Sequence, residues 1–114
     1  MIRGDVVLVD LTGAQGSEQG KTRVCVVIQN DVGNKYSPTT IIVPLTSQLK
    51  HLSMPTHALI RRSEGNGLMK DSMALCEQVR AVDKTRILKT YSNIGNDISV
   101  VFKAYVNNFS LERG

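Results

Sequence analysis

Short runs of β-branched residues, each closed by turn-forming residues, fill the first half of this sequence and leave few folds open. Val6 to Leu11, bounded by Asp5 and by Thr12-Gly13, reads as a first strand. Arg23 to Gln29 reads as a second, and Thr39 to Leu45 as a third. Along the second run, strand alternation puts Val24, Val26 and Ile28 on one face and Arg23, Cys25 and Val27 on the other. Pro44 cannot donate to a ladder, which places it near a strand end or an edge. Between the second and third runs, Asn30 to Pro38 is rich in turn residues, with Gly33, Asn34 and Pro38.

The second half breaks into smaller pieces. A polar loop runs from Thr46 to Thr56, a short strand from Thr56 to Ile60, and a charged turn from Arg61 to Lys70. Ser72–Leu75 and Glu77–Val82 form one or two further strands. Asp83 to Arg86 reads as a short helical or 3₁₀ turn capped by Asp83. At the end the period changes: Ile98, Val101, Phe102, Tyr105, Val106 and Phe109 recur at helical spacing, with Asn96 or Asp97 placed to cap the start. Five to seven short strands and one helix predict a mainly β, α+β chain, folded as a small, strongly bent sheet or partial barrel. At 114 residues, 1–114 is expected to be a single domain with one core.

Composition narrows the function classes. No stretch approaches the eighteen or so apolar residues of a membrane helix, and the first residues carry no signal-peptide core, so a cytoplasmic protein is expected. Cys25 and Cys76 lie far apart in apolar runs and read as buried free thiols. No His, Cys, Asp and Glu fall at metal-ligand spacing, so neither a metal nor a cofactor is expected. His51 and His57 flank a loop and read as solvated or locally bonded. A net charge of +4 suits a phosphate-bearing or acidic partner without specifying either.

The chemistry concentrates around Gly16-Ser17-Glu18-Gln19-Gly20-Lys21-Thr22-Arg23. This Gly-rich, polar loop delivers an arginine to the first position of an apolar strand, where a rigid element meets solvent. There the planar fork can be presented to a phosphate. A plain surface hairpin followed by a solvated arginine fits the same spacing.

Several short motifs, in order, carry a resemblance that any one of them would not. They are Arg3-Gly4-Asp5-Val6, Asp10-Leu11, Gly16 to Gly20 with Arg23, Val27-Ile28-Gln29-Asn30-Asp31, Ser37-Pro38-Thr39, Pro44-Leu45-Thr46, Pro55-Thr56-His57, Asp71-Ser72, and Glu77 to Lys84. Across nearly the whole chain they resemble the MazF/PemK family of bacterial toxins. The resemblance implies an SH3-like, CcdB-like small β-barrel with a C-terminal helix and a homodimer. It implies a toxin that cleaves single-stranded RNA sequence-specifically and without a metal, so inhibiting translation and growth, and an acidic MazE-like antitoxin that silences it. It assigns catalytic roles to Arg23 and Thr46. The chain departs from the family at Val24-Cys25, where a proline usually follows the arginine directly.

RNA carries its own nucleophile in the 2′-hydroxyl, so the protein must align attack, stabilise phosphoryl charge and protonate the leaving 5′ oxygen. Arg23 can bind two phosphoryl oxygens at once. Thr46 can exchange a hydrogen bond with the phosphate or the 2′-hydroxyl. Arginine stays protonated, which leaves Glu18 as the candidate carboxylate base. Ser17, Gln19, Lys21, Asn30, Gln78 and Arg80 are candidates to clamp phosphates or read base edges, with strand-end or turn residues bonded to backbone as the competing reading. Tyr36 and Tyr91 are the free aromatics outside the helix, so base stacking is limited. Two other functions compete: a non-enzymatic CcdB-like toxin that binds DNA gyrase, and a plain nucleic-acid-binding barrel. Neither needs the pairing of Arg23 with Thr46.

Overall fold

The computed structural model describes residues 1–12 and 22–109. Seven strands form one bent antiparallel sheet: β1 (Asp5–Asp10), β2 (Thr22–Val27), β3 (Thr39–Thr46), β4 (His57–Ile60), β5 (Ser72–Leu75), β6 (Arg80–Asp83) and β7 (Ile87–Asn93). The order is β4-β5-β3-β2-β1-β7, with β6 paired to β3 off that path. β4 and β7 end the path, so the barrel is partial. Among the described residues two α-helices accompany the sheet, α1 (Asp31–Tyr36) and α2 (Ile98–Val106), beside short 3₁₀ turns.

β3 organises the sheet. On one side it pairs with β2 from Cys25↔Pro44 to Val27↔Ile42. On the other its first half pairs with β6 and its last two residues with β5. Pro44 sits where β3 changes partner, between Ile42↔Arg80 and Leu45↔Ala74, so its missing N–H falls at a break in the outer ladder. The expected placement near a strand end is therefore met, in the middle of the sheet.

Bending gives the sheet a core on each face. Val6, Val26, Val43, Leu45 and Ile60 face α2 and pack around Val101 and Ala104. Val7, Val9, Cys25, Val27, Ile42 and Val82 form the second cluster. Neighbouring residues of β1, β2 and β3 thus bury opposite faces, which is why these strands read as apolar runs with little alternation. Both cysteines are buried free thiols, and burial pushes each up to about 12.

Several sequence expectations need correcting. Asn30 to Pro38 is not a string of turns: it holds α1, capped by Asn30, whose side chain accepts from Gly33 N–H at 2.8 Å. Glu77 belongs to a 3₁₀ turn, Cys76–Gln78, and the strand that follows begins only at Arg80. β7 lies where no strand was expected. Asp97 stands at the α2 N-cap position, yet its carboxylate accepts from Asn66 Nδ2 at 3.0 Å and not from the helix. Of the helical stripe, Val106 and Phe109 are exposed. Asp83 does cap the turn Lys84–Arg86, accepting from Thr85 N–H at 2.9 Å.

Candidate active site

The β2–β3 register builds the site. The pairing ends at Cys25↔Pro44, and two residues beyond it lie Arg23, near the start of β2, and Thr46, at the end of β3. Two residues remote in sequence thereby lie toward the same end of the β2–β3 pair. The Arg23 guanidinium is moored on two sides: Nη2 donates to the Leu45 carbonyl and Nη1 to Gln78 Oε1, each at 3.4 Å. Five N–H groups are available on the fork, so others remain for an anion. The Thr46 hydroxyl accepts from Gln48 N–H at 3.1 Å, which keeps its own proton available to donate.

Gln78 comes from the 3₁₀ turn, and Arg80, opening β6 two residues later, is exposed. The charges of Arg23 and Arg80 both reach the buried Cys25 thiol, but burial outweighs their pull and keeps it protonated. That end of the sheet is therefore cationic at its surface and neutral beneath.

A groove of about 660 Å³ has Thr46 in its lining but not Arg23, Gln78 or Arg80; Val24 and Leu45, which alternate with Arg23 and Thr46 along β2 and β3, line it from the other face. Ser47, Lys70, Ser72 and Tyr91 bring hydroxyls, an ammonium and an aromatic ring to its lining. Of the two tyrosines singled out in the sequence, Tyr91 lies at the groove and Tyr36 on α1, away from it.

Arg23, Thr46, Gln78 and Arg80 thus gather at one end of the sheet. Asn30 does not: it lies beyond the far end of β2, on the order of 20 Å along the strand from Arg23, with its side chain committed to α1. Ser17, Glu18, Gln19 and Lys21 lie outside the described residues. Sequence reasoning missed Ser47, the neighbour of Thr46, and Lys70, from the loop before β5, which line the same groove. It also missed Arg86, whose Nη1 donates to the Asp10 and Thr12 carbonyls at 3.3 and 2.8 Å and fixes the chain where β1 ends. Among the described residues no three His, Cys, Asp or Glu side chains come together as metal ligands, and no helix is long and apolar enough to cross a membrane.

A small antiparallel sheet packed by α2, with Arg23 and Thr46 toward one end of the β2–β3 pair, frames the site. Comparison with known proteins names the family. Residues 2–102 match the PemK-like, MazF-like toxins of type II toxin–antitoxin systems, and this chain belongs to that family. An Endoribonuclease MazF from Staphylococcus saprophyticus is 52% identical over 87 residues, which span 76% of this chain and 72% of that protein. Among solved structures, MazF from Deinococcus radiodurans superposes with a TM-score of 0.77 at 18% identity, covering 97% of each chain. An endoribonuclease in complex with its cognate antitoxin, from a mycobacterial species, superposes with a TM-score of 0.76 at 15% identity, covering 100% of this chain and 99% of that one. At such identities these two show the shared fold.

Proposed function

We propose that this chain is the toxin of a type II toxin–antitoxin pair, a sequence-specific endoribonuclease that cuts single-stranded RNA through attack of the RNA's own 2′-hydroxyl. The observation that carries the reading is the Arg23 fork held on the Leu45 carbonyl, the residue next to Thr46, which brings the two groups near one end of the β2–β3 pair; a protein-binding toxin or a plain RNA-binding barrel has no need of that arrangement. The named relative, an endoribonuclease, supports it.

The assigned roles follow from the chemistry of the groups. Arg23 holds two non-bridging phosphoryl oxygens, and its contribution grows as their charge grows in the transition state. Thr46 donates its proton to the scissile phosphate or orients the 2′-hydroxyl. Glu18 is the carboxylate assigned to take the 2′-hydroxyl proton; as the 2′-oxygen–phosphorus bond forms, the phosphorus–5′-oxygen bond breaks, and the 5′ oxygen leaves as a hydroxyl with a proton from solvent. Gln78 and Arg80 clamp flanking phosphates or read base edges, together with Ser17, Gln19 and Lys21. Bases splayed from a single strand expose the edges such groups read.

Two partners complete the proposal. The open edges of the sheet favour a symmetric homodimer. An acidic antitoxin tail, disordered when free, is complementary to the cationic end carrying Arg23 and Arg80. A related endoribonuclease has been solved with its cognate antitoxin, and the working compartment is the cytoplasm, where messenger RNA lies.

Because the nucleophile comes from the substrate, cleavage needs no metal-bound water. The test is to incubate the purified chain with a long RNA in excess chelator and map the ends. Cutting at one recurrent short sequence, with a 5′-hydroxyl on each downstream fragment, is expected. A 5′-phosphate there, or activity abolished by chelation, overturns the mechanism.

A further inference from the structure

His57, at the start of β4, has an acceptor at each ring nitrogen: the His51 carbonyl lies 2.9 Å from Nδ1, and Glu77 Oε2 lies 2.9 Å from Nε2. A neutral imidazole carries one N–H and one lone pair, so neither tautomer satisfies both contacts; the imidazolium donates to both. Glu77 is also reached by the Thr56 hydroxyl at 3.5 Å. It is the middle residue of the Cys76–Gln78 turn, whose first residue is pinned elsewhere. Cys76 N–H donates to the Thr56 carbonyl, and the Cys76 carbonyl accepts from Asn108 Nδ2, both at 3.0 Å. The turn's last residue is Gln78, the Arg23 partner. A continuous chain of contacts therefore runs from the loop before β4, through Glu77 and Gln78, to the arginine fork.

We propose that His57 and Glu77 are positioning residues for that fork, and that the imidazolium form of His57 is a latch holding the Gln78 turn in place. The inference rests on the reading of Arg23 as the phosphate-binding group.

The surroundings of the ring favour this behaviour. The turn presents the Glu77 carboxylate and the Cys76 thiol, which burial keeps neutral with its value at about 12. The loop before β4 carries exposed Lys50 and His51; β5 sets apolar Leu75 opposite. On α2, which packs against β4, the titratable groups are exposed Lys103 and half-buried Tyr105. Burial by itself works against the charged ring. The Glu77 hydrogen bond, the His51 carbonyl and the Glu77 charge outweigh it and hold His57 above its ordinary value. Once the proton leaves, a lone pair faces either the carboxylate or the carbonyl, and one of the two contacts opens.

The test is an NMR pH titration of the whole chain following the His57 ring, the Gln78 side-chain amide and the Arg23 Nε–H. Cleavage of an RNA by wild type, His57→Gln and Glu77→Gln is measured in parallel over about pH 5.5 to 8.5. In the wild type, the Gln78 and Arg23 signals are expected to move with the His57 midpoint, and in both variants to lose that movement. The ratio of wild-type to His57→Gln kcat is expected to fall roughly threefold to tenfold across the range, with KM nearly unchanged. Gln78 and Arg23 signals that stay fixed while His57 titrates overturn the latch, whatever the cleavage rates. Coupling that persists in Glu77→Gln overturns the route through that residue, and this variant decides the matter if His57→Gln does not fold. Coupled signals with no RNA cleavage at any pH leave the latch standing and overturn the endoribonuclease reading.

Discussion

At the scale of single residues, the geometry of Arg23 rather than its charge sets the expected mutant behaviour. Its fork spans the Leu45 carbonyl and Gln78 Oε1, and a lysine cannot bridge two such acceptors while gripping a phosphate bidentately. Arg23→Lys is expected to lower RNA cleavage at least about tenfold, with thermal midpoint and oligomeric state unchanged. Cleavage assays beside calorimetry check this, and near-normal rates would reduce Arg23 to a source of long-range charge. Arg23 was legible in the sequence because a Gly-rich loop ran into an apolar strand. The partner proposed for it, Thr46, was legible only by resemblance, since nothing local marks a threonine at a strand end. Gln78 was legible as a polar candidate, but its contact with Arg23 spans 55 positions and no local pattern encodes it. Asn30 misled for the opposite reason: a polar residue just past a strand serves equally as a helix cap.

The elements that escaped the sequence are those whose stability is not written as apolar periodicity. β7 is exposed along most of its length and sits at an edge, so its pattern shows neither alternation nor a run. α1 has a glycine inside and one buried residue, Asn34. The Asn34 side chain does the work usually left to an apolar stripe. Its Oδ1 accepts from the buried Thr40 hydroxyl at 2.7 Å and from Gln29 Nε2 at 3.2 Å, and its Nδ2 donates to the Gln29 carbonyl at 2.9 Å. Lys84 Nζ donates to its backbone carbonyl. Asn34→Ala is therefore expected to cost on the order of 1–3 kcal/mol by leaving the Thr40 hydroxyl and Gln29 carbonyl unpaired, and to melt α1 selectively. Denaturant titration gives the first number; amide exchange localised to 31–36 checks the second. Should stability hold with α1 protected, the helix is kept by something other than this side chain. The strands β1 to β3 and α2 were read nearly at their observed bounds because their burial is periodic or continuous.

For the molecule as a whole, the ionisable groups pull stability in opposite directions with pH. Hydrogen bonds from Thr12 hold Asp10 below the ordinary carboxylate value; the Arg3 backbone N–H and Asn34 do so for Asp31, and Thr85 for Asp83. A lowered folded-state value stabilises above the unfolded carboxylate range, near pH 4, and that contribution is lost as pH falls through the folded value. His57 is raised, so its contribution is complete below about pH 6.5 and is lost as pH rises through its folded value. The thermal midpoint is expected to peak between about pH 4 and pH 6.5, with His57→Gln removing the fall on the alkaline side. A midpoint still climbing through pH 7 in the wild type would contradict the His57 assignment.

The pairing of the first strand with the last has a kinetic meaning. Asn93 Nδ2 reaches Asp5 Oδ1 across a separation of 88 positions, so most of the chain must be ordered before β1 and β7 can close. Closure is expected late on the folding path, after the barrier has been crossed. Destabilising substitutions in β7 should speed unfolding and leave the folding rate almost untouched, whereas those in β3 should slow folding itself. Stopped-flow refolding of a Thr90→Gly variant against Val43→Ala separates the two. On that expectation the molecule comes apart from its ends, with its lifetime set at the seam between β1 and β7 and its speed of assembly at the strand in the middle.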